Sequence, residues 1–472
     1  MKLIFYDTET TGINEKYDQL LQFAAILTDG NLNSLDHFSI RCRLLPHIVP
    51  SPEALLVNRV TPAQLTDPAL PSHYQAIAAI QAKLAEWSPA IFLGYNSIRF
   101  DEEIIRQAFY QTLHPLFVTN TNGSARGDVM RMFYAASVLG CPAIKIPADD
   151  KGQARFKLSM VAEANGYRPK VAHEAMADVE TTIFLARFLK ENALHIWAPM
   201  LDWTSKDAVN RFIADEEVVS FTEFYYGRPS SWLITFCGRH PANDSSLLAW
   251  DLEHDPQKYL DLPATKLVDL LNGKAKIIRE LRANAQPILM PLAAVPASLM
   301  SKTLSADELH RRAHLIRDNR VFQSRLNDAL AATRATAAPD PPSPHLEERI
   351  YDAFASASDR ALMNQFQQAA WSDRVKLVER IEDSRFSELA RRLIHIEQPE
   401  LLSEAERKRL DAWRASRILA TDRTVPWMTV PKAHEEIGRL QKTATVEEAA
   451  LLKDVKGFLD ELSARHQSRP AK

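Results

Sequence analysis

Glycine is scarce in this chain of 472 residues, which holds 13 where an ordinary share of about 7% would supply more than twice as many. The thirteen are so scattered that neither G-x-G-x-x-G nor G-x-x-x-x-G-K-[ST] can be written anywhere, which excludes dinucleotide-binding and P-loop readings. Cysteine is scarcer still. Cys42, Cys141 and Cys237 stand far apart with no C-x-x-C, a pattern that fits neither a disulfide framework nor a zinc site and points to a reducing compartment. Long apolar runs are missing as well: Leu3 to Tyr6 is too short for a signal h-region, and no later stretch approaches the ~18 residues that a membrane span needs. A soluble, cytoplasmic protein is expected. Nor does one sign of charge dominate, since 57 Lys and Arg face 60 Asp and Glu and the balance is even along the chain. Any polyanionic partner must therefore be held by a local groove and not by a basic domain.

What is present divides into three parts. The length predicts roughly three domains. Residues 335–345 hold four prolines and no large apolar side chain, so an extended connector is expected there. Beyond it Ser403-x-x-Glu406 and Thr445-x-x-Glu448 read as capping boxes, and Leu389, Leu393, Ile394 and Ile396 recur near helical spacing, which predicts an all-helical unit. The first part alternates. Strands are expected at Leu3 to Tyr6, Phe23 to Leu27, Phe38 to Leu45 and Ile91 to Tyr95, with helices near 73–87, 102–113, 128–139, 156–165 and 174–191, giving an α/β domain whose sheet begins as a meander. Between them, strand-like runs (Val218 to Tyr226, Ser231 to Phe236, Ser246 to Leu252, Ile288 to Leu292) and helical text near 256–283 and 305–331 suggest a small β-barrel with inserted helices. The expected units are 1–195, 196–336, a Pro-rich linker at 337–345, and 346–472.

Chemistry concentrates in the first unit. Asp7 and Glu9 end the first predicted strand, and residues i and i+2 of a strand share a face, so two carboxylates repel there unless a cation sits between them. Hard oxygen ligands at a strand end suit Mg²⁺ or Mn²⁺, although a bare D-x-E is more often a pair of acids in a solvated loop. Asp101 follows an apolar strand at the start of a helix, where an acid also favours the helix dipole. In His173-Glu174-Ala175-Met176-Ala177-Asp178, five positions of a continuous helix would set the His and the Asp about 140° apart. If both serve one centre, His173 must lie on the lead-in to the helix and Asp178 within it.

Asp7-x-Glu9, Asp101 and His173-x4-Asp178 resemble, in order and context, the three motifs of DEDD-type 3′-to-5′ exonucleases of the histidine subclass. Gly94-Tyr95-Asn96-Ser97-Ile98-Arg99-Phe100-Asp101-Glu102-Glu103, Asp128-Val129-Met130-Arg131 and His173-Glu174-Ala175-Met176-Ala177-Asp178-Val179 are similar to the bacterial exodeoxyribonuclease I branch. The resemblance is dense over about 1–190 and rests later on layout and on pieces such as Ser356-Ala357-Ser358-Asp359-Arg360-Ala361. It implies a ribonuclease-H-like exonuclease domain, an SH3-like barrel and a helical C-terminal domain that together close around single-stranded DNA. It further implies a processive enzyme of DNA repair and recombination with two Mg²⁺ (Mn²⁺ as a substitute) held by Asp7, Glu9, Asp101 and Asp178. His173 would take the proton from the attacking water, and Glu9 would also touch the terminal 3′-hydroxyl.

For the strand, the resemblance implies contacts at Arg106, Phe117, Arg131 and Lys157, types suited to phosphates and base stacking. Each is as readily a solvated charge or a core ring. Lys157 departs from the arginine expected there and loses the bidentate fork, and Thr121 stands where an aromatic would be expected. Phe221, Phe224, Tyr225, Tyr226 and Trp232 either extend the stacking platform or fill a barrel core. The family works with single-strand DNA-binding protein, for which no contact motif is found here, and a monomer is expected. An exonuclease acting on RNA, a proofreading subunit and a noncatalytic nucleic-acid-binding scaffold are the alternatives.

Overall fold

Leu3-Ile4-Phe5-Tyr6 is apolar on both faces, the composition of a strand covered on two sides, and it opens β1 (Leu3–Thr10) at the centre of a five-stranded sheet. The computed structural model describes residues 1–168, 174–240, 243–272, 276–336 and 341–467. The other strands of this sheet are β2 (Leu20–Thr28), β3 (Ser34–Arg41), β4 (Ile91–Gly94) and β5 (Ala125–Asp128), in the order β3-β2-β1-β4-β5. The first three form the expected antiparallel meander, while β4 and β5 join in parallel.

Alternation along β1 sends Leu3 and Phe5 into a core with Val179, Ile183 and Leu189 of the helix Ala175–Asn192. Ile4 and Tyr6 point the other way, toward Ile77, Ile80 and Leu84 of the helix His73–Trp87 and Ile104 and Phe109 of the helix Asp101–Gln111. The sheet is thus a middle layer whose two faces are closed by different helices.

The second sheet is antiparallel and five-stranded, in the order β10-β6-β7-β8-β9, built from β6 (Val219–Tyr225), β7 (Arg228–Arg239), β8 (Ser246–Asp251), β9 (Ile278–Arg282) and β10 (Ile288–Pro291). It is consistent with the small barrel expected there, and a helix, Ala264–Asn272, is inserted between β8 and β9. Its apolar face joins the core of the first unit: Tyr134 stacks on Phe224 with ring centroids 4.0 Å apart. The C-terminal helices pack on the first unit as well, through Tyr74, Tyr110 and Leu113 against Phe366 and Phe386, and through Leu21, Val49 and Leu55 against Val455 and Leu459.

Both predicted capping boxes form, Ser403 with Glu406 and Thr445 with Glu448. Several local expectations need correction. Among the described residues the text near 256–283 is helical only at Pro256–Lys258 and Ala264–Asn272, and Ile278–Arg282 is strand β9. The predicted strand to Leu45 stops at Arg41, and the helix expected from 156 starts at Leu158. The helix Arg320–Thr336 runs into the stretch expected to be extended. Strand β5, Ala-Arg-Gly-Asp, carries no apolar pattern, and β4 is its one strand neighbour among the described residues. Among the described residues no helix is long and apolar enough to cross a membrane, and all three cysteines are free.

Candidate active site

Asp7 and Glu9 continue the face of β1 that carries Leu3 and Phe5, so they point toward the helix Ala175–Asn192, whose first turn holds Asp178. The three residues bring one carboxylate oxygen each to within 4.8 Å of one another. Asp101 arrives from the other side. It opens the helix Asp101–Gln111 and accepts two hydrogen bonds from Thr8, from the backbone N–H at 3.0 Å and from the hydroxyl at 2.6 Å. Thr8 lies between Asp7 and Glu9, so the fourth carboxylate is tied to the strand that carries two of the others.

Electrostatics show how unfavourable this cluster is by itself. Burial, then the charges of Asp101, Glu9 and Asp178, push Asp7 well above the ordinary carboxylate range. Burial and the charges of Asp178 and Asp101 raise Glu9 to about 8. Burial raises Asp101 to about 7 against the hydrogen bonds from Thr8, and Asp178 to about 6 against the charge of Lys157. Carboxylates so destabilised as anions are a matched donor set for a hard divalent cation, and these residues fit one.

Of the expected strand contacts, Lys157 lies close enough for its charge to act on Asp178, and it lines a recess of about 600 Å³ with Asn96, Tyr134 and Tyr226. Arg131 borders a groove of about 950 Å³ between the two sheets, with Arg99, Arg126, Arg279 and Trp232. Its Nε donates to the Gln286 carbonyl at 3.0 Å. Arg106 is 5% exposed, and its guanidinium is engaged by Glu102 at 2.7 Å and Glu103 at 3.2 Å while lying 5.0 Å over the Phe117 ring. Phe117, with Thr121, faces a cavity of about 790 Å³ shared with Tyr351 and Phe354 of the C-terminal unit. Phe221 and Phe224 are core residues, Tyr225 and Tyr226 are exposed at the β6–β7 turn, and Trp232 lies under Arg279 at 3.7 Å. His173 lies outside the described residues.

Sequence reading missed Thr8 and Arg41. Pairing Glu9 with Gln22 and Gln22 with Arg41 puts all three on one face, where the Arg41 charge draws Glu9 downward. The strand register that joins them is not written in local sequence.

Two family models match: Exonuclease over residues 4–186 and Exonuclease I C-terminal domain over residues 344–462. Exodeoxyribonuclease I of Haemophilus influenzae is 26% identical over 373 residues, 75% of this chain and 77% of the relative. That of Escherichia coli is 26% identical over 381 residues, 76% and 78% of the two chains. Among solved structures, E. coli exonuclease I in complex with a dA16 oligonucleotide superposes with a TM-score of 0.82 at 22% identity, covering 98% of this chain and 99% of that one. An SSB/exonuclease I structure in complex with the inhibitor CFAM gives 0.80 at 23% identity with the same coverage. A zinc-bound form of an E. coli exonuclease I complex with single-stranded DNA gives 0.80 at 22%, again with that coverage. With an exonuclease domain at its start, an exonuclease I C-terminal domain at its end and the exonuclease I fold throughout, the chain belongs to the exonuclease I family and is a nuclease hydrolase.

Proposed function

We propose that this protein hydrolyses single-stranded DNA from the 3′ end, releasing 5′-mononucleotides, as a cytoplasmic enzyme of DNA repair and recombination. The observation that carries the reading is the convergence of Asp7, Glu9 and Asp178, with Asp101 held beside them by Thr8. The E. coli relative is seen with a dA16 oligonucleotide, which supports the substrate class.

Asp7, Glu9, Asp101 and Asp178 would hold two divalent cations, Mg²⁺ by the hardness of the oxygen set, with Mn²⁺ as a substitute. Bound there, the cations supply Lewis-acid polarisation of the phosphodiester and lower the pKa of water. His173 takes the proton from the attacking water, a step for which an imidazole is matched near neutral pH. Lys157 holds a phosphate of the terminal nucleotide, and Glu9 also orients the 3′-hydroxyl. Arg131, with Arg99 and Arg126, lines the groove for the rest of the strand. Phe117 offers a ring to the bases, and Arg106 supports that ring from behind. Residues 1–195, 196–336 and 346–472 act as three units around the strand, in a monomer that works processively. Single-strand DNA-binding protein is the proposed partner, supported by the solved SSB/exonuclease I structure.

The test is degradation of 3′-labelled and 5′-labelled single-stranded DNA oligonucleotides, with RNA and duplex controls, in Mg²⁺ and in excess EDTA. Release starting at the 3′ label, only with metal and only from single-stranded DNA, is the expected outcome; initiation at the 5′ end or digestion in EDTA overturns the reading.

A further inference from the structure

Gln286, between β9 and β10, has no solvent exposure, yet its side-chain and backbone oxygens both reach across to the first unit. Its side-chain oxygen accepts the backbone N–H of Asp128 at 2.8 Å, its amide nitrogen donates to the Met200 carbonyl at 2.9 Å, and its own carbonyl accepts Nε of Arg131 at 3.0 Å. The backbone adopts a φ of 49°, disfavoured for a residue with a side chain, so the surroundings over-determine this conformation. Space has been made for it. A Cβ on Gly127 would stand 3.0 Å from the Gln286 amide nitrogen, 2.9 Å from Leu93 and 2.7 Å from Thr204.

The residue that Gln286 grips is a hub for the loop leading to Asp101. The Asp128 carboxylate, 2% exposed, accepts backbone N–H groups of Asn96 at 2.9 Å, Ile98 at 3.4 Å and Met130 at 2.9 Å. Ser97 donates its hydroxyl to the Gly127 carbonyl at 3.4 Å, and its own carbonyl accepts the N–H of Glu102 at 2.9 Å. Asn96 has a φ of 63°, so this loop too is held in a conformation it would not choose. An unbroken path of hydrogen bonds therefore runs from the second unit through Asp128 to the turn that sets the start of the helix Asp101–Gln111.

We propose that Gln286 is a positioning residue: it locks Asp128, and through the 96–98 loop it fixes where Asp101 presents its carboxylate to metal. The inference rests on the reading of Asp101 as a metal ligand. It makes docking of the second unit a condition for a complete metal site, so the middle of the chain contributes to cleavage as well as to grip. Removing groups that orient a ligand typically weakens metal affinity by ~10-fold to ~100-fold.

The experiment uses the full chain with Gln286→Met, which keeps the volume and removes the hydrogen bonds, and Gln286→Gly, which suits the left-handed backbone. Mn²⁺ binding is titrated by electron paramagnetic resonance without DNA. Steady-state cleavage is then followed against Mg²⁺ and against oligonucleotide concentration, with Asp101→Asn as the reference. The expected result is about 10-fold weaker Mn²⁺ binding in both Gln286 variants and a raised Mg²⁺ half-saturation, with kcat lowered and the oligonucleotide KM near that of the parent. Parent-like Mn²⁺ affinity in both, with weakened binding in Asp101→Asn, overturns the inference and leaves the ligand reading standing. Parent-like binding in Asp101→Asn overturns both.

Discussion

Thr8 gives both its backbone N–H and its hydroxyl to one oxygen of Asp101, at 3.0 and 2.6 Å, while its own neighbours Asp7 and Glu9 face the opposite side of β1. One short strand segment therefore orders three of the four acids at its end, two by alternation and one by hydrogen bonding, while Asp178 comes from the helix Ala175–Asn192. Thr8→Val removes the hydroxyl and keeps the shape. It should lower kcat/KM about 10-fold, the low end for a group that orients a ligand, with oligonucleotide affinity unchanged. Fluorescence anisotropy in Ca²⁺ beside steady-state cleavage in Mg²⁺ separates the two effects.

The raised carboxyl groups carry a stability signature. A carboxyl whose folded pKa lies above its unfolded value holds its proton more tightly when folded, so stability falls as pH rises from the unfolded value through the folded one. For Glu9 that window runs from 4.5 to about 8. Metal-free protein should melt lower at pH 8 than at pH 5.5 from this source, Glu9→Gln should recover part of the loss at pH 8 and none at pH 4, and Mg²⁺ should raise the melting temperature more at pH 8 than at pH 5.5. Differential scanning calorimetry in EDTA and in Mg²⁺ reads all three. A Glu9→Gln gain that is the same at both ends of the range would contradict the assignment of burial and repulsion as its cause.

His173→Ala should reduce kcat by ~10² to ~10⁴ and remove the limb of the pH–rate profile near the histidine pKa. Mn²⁺ binding should persist, since the carboxylates are untouched. An unchanged pH profile would reassign His173 to a structural role.

Lys157 stands close enough to Asp178 to lower its pKa, within the recess beside Asn96 and Tyr134. If it neutralises one phosphate, Lys157→Ala should weaken strand binding equally for all base sequences and reduce the salt slope by ~0.7. Lys157→Arg should bind at least as well, because the guanidinium adds a second parallel donor. Titrations from low to moderate salt in Ca²⁺ decide it, and identical slopes for parent and alanine variant would remove Lys157 from the path.

By itself the sequence determined most of the local text. The apolar run Leu3 to Tyr6 read as a strand and is one, and Asp7 and Glu9 share one face of it because alternation is a property of any strand. The two capping boxes could be read because a cap involves residues three apart. What the tertiary structure decided has longer reach. β5 is a strand only because β4 offers it a ladder, since Ala-Arg-Gly-Asp has no pattern of its own. Arg106, expected as a contact to the strand, is buried against Glu102, because helical neighbours four apart meet, and it lies over the Phe117 ring. Arg41 reaches the neighbourhood of Glu9 through the register of two strand pairings, and Gln286 reaches Asp128 across 158 positions. Periodicity and capping are local and survive in a string of letters, whereas register, burial and the partner of a polar atom exist only after distant segments have closed on one another.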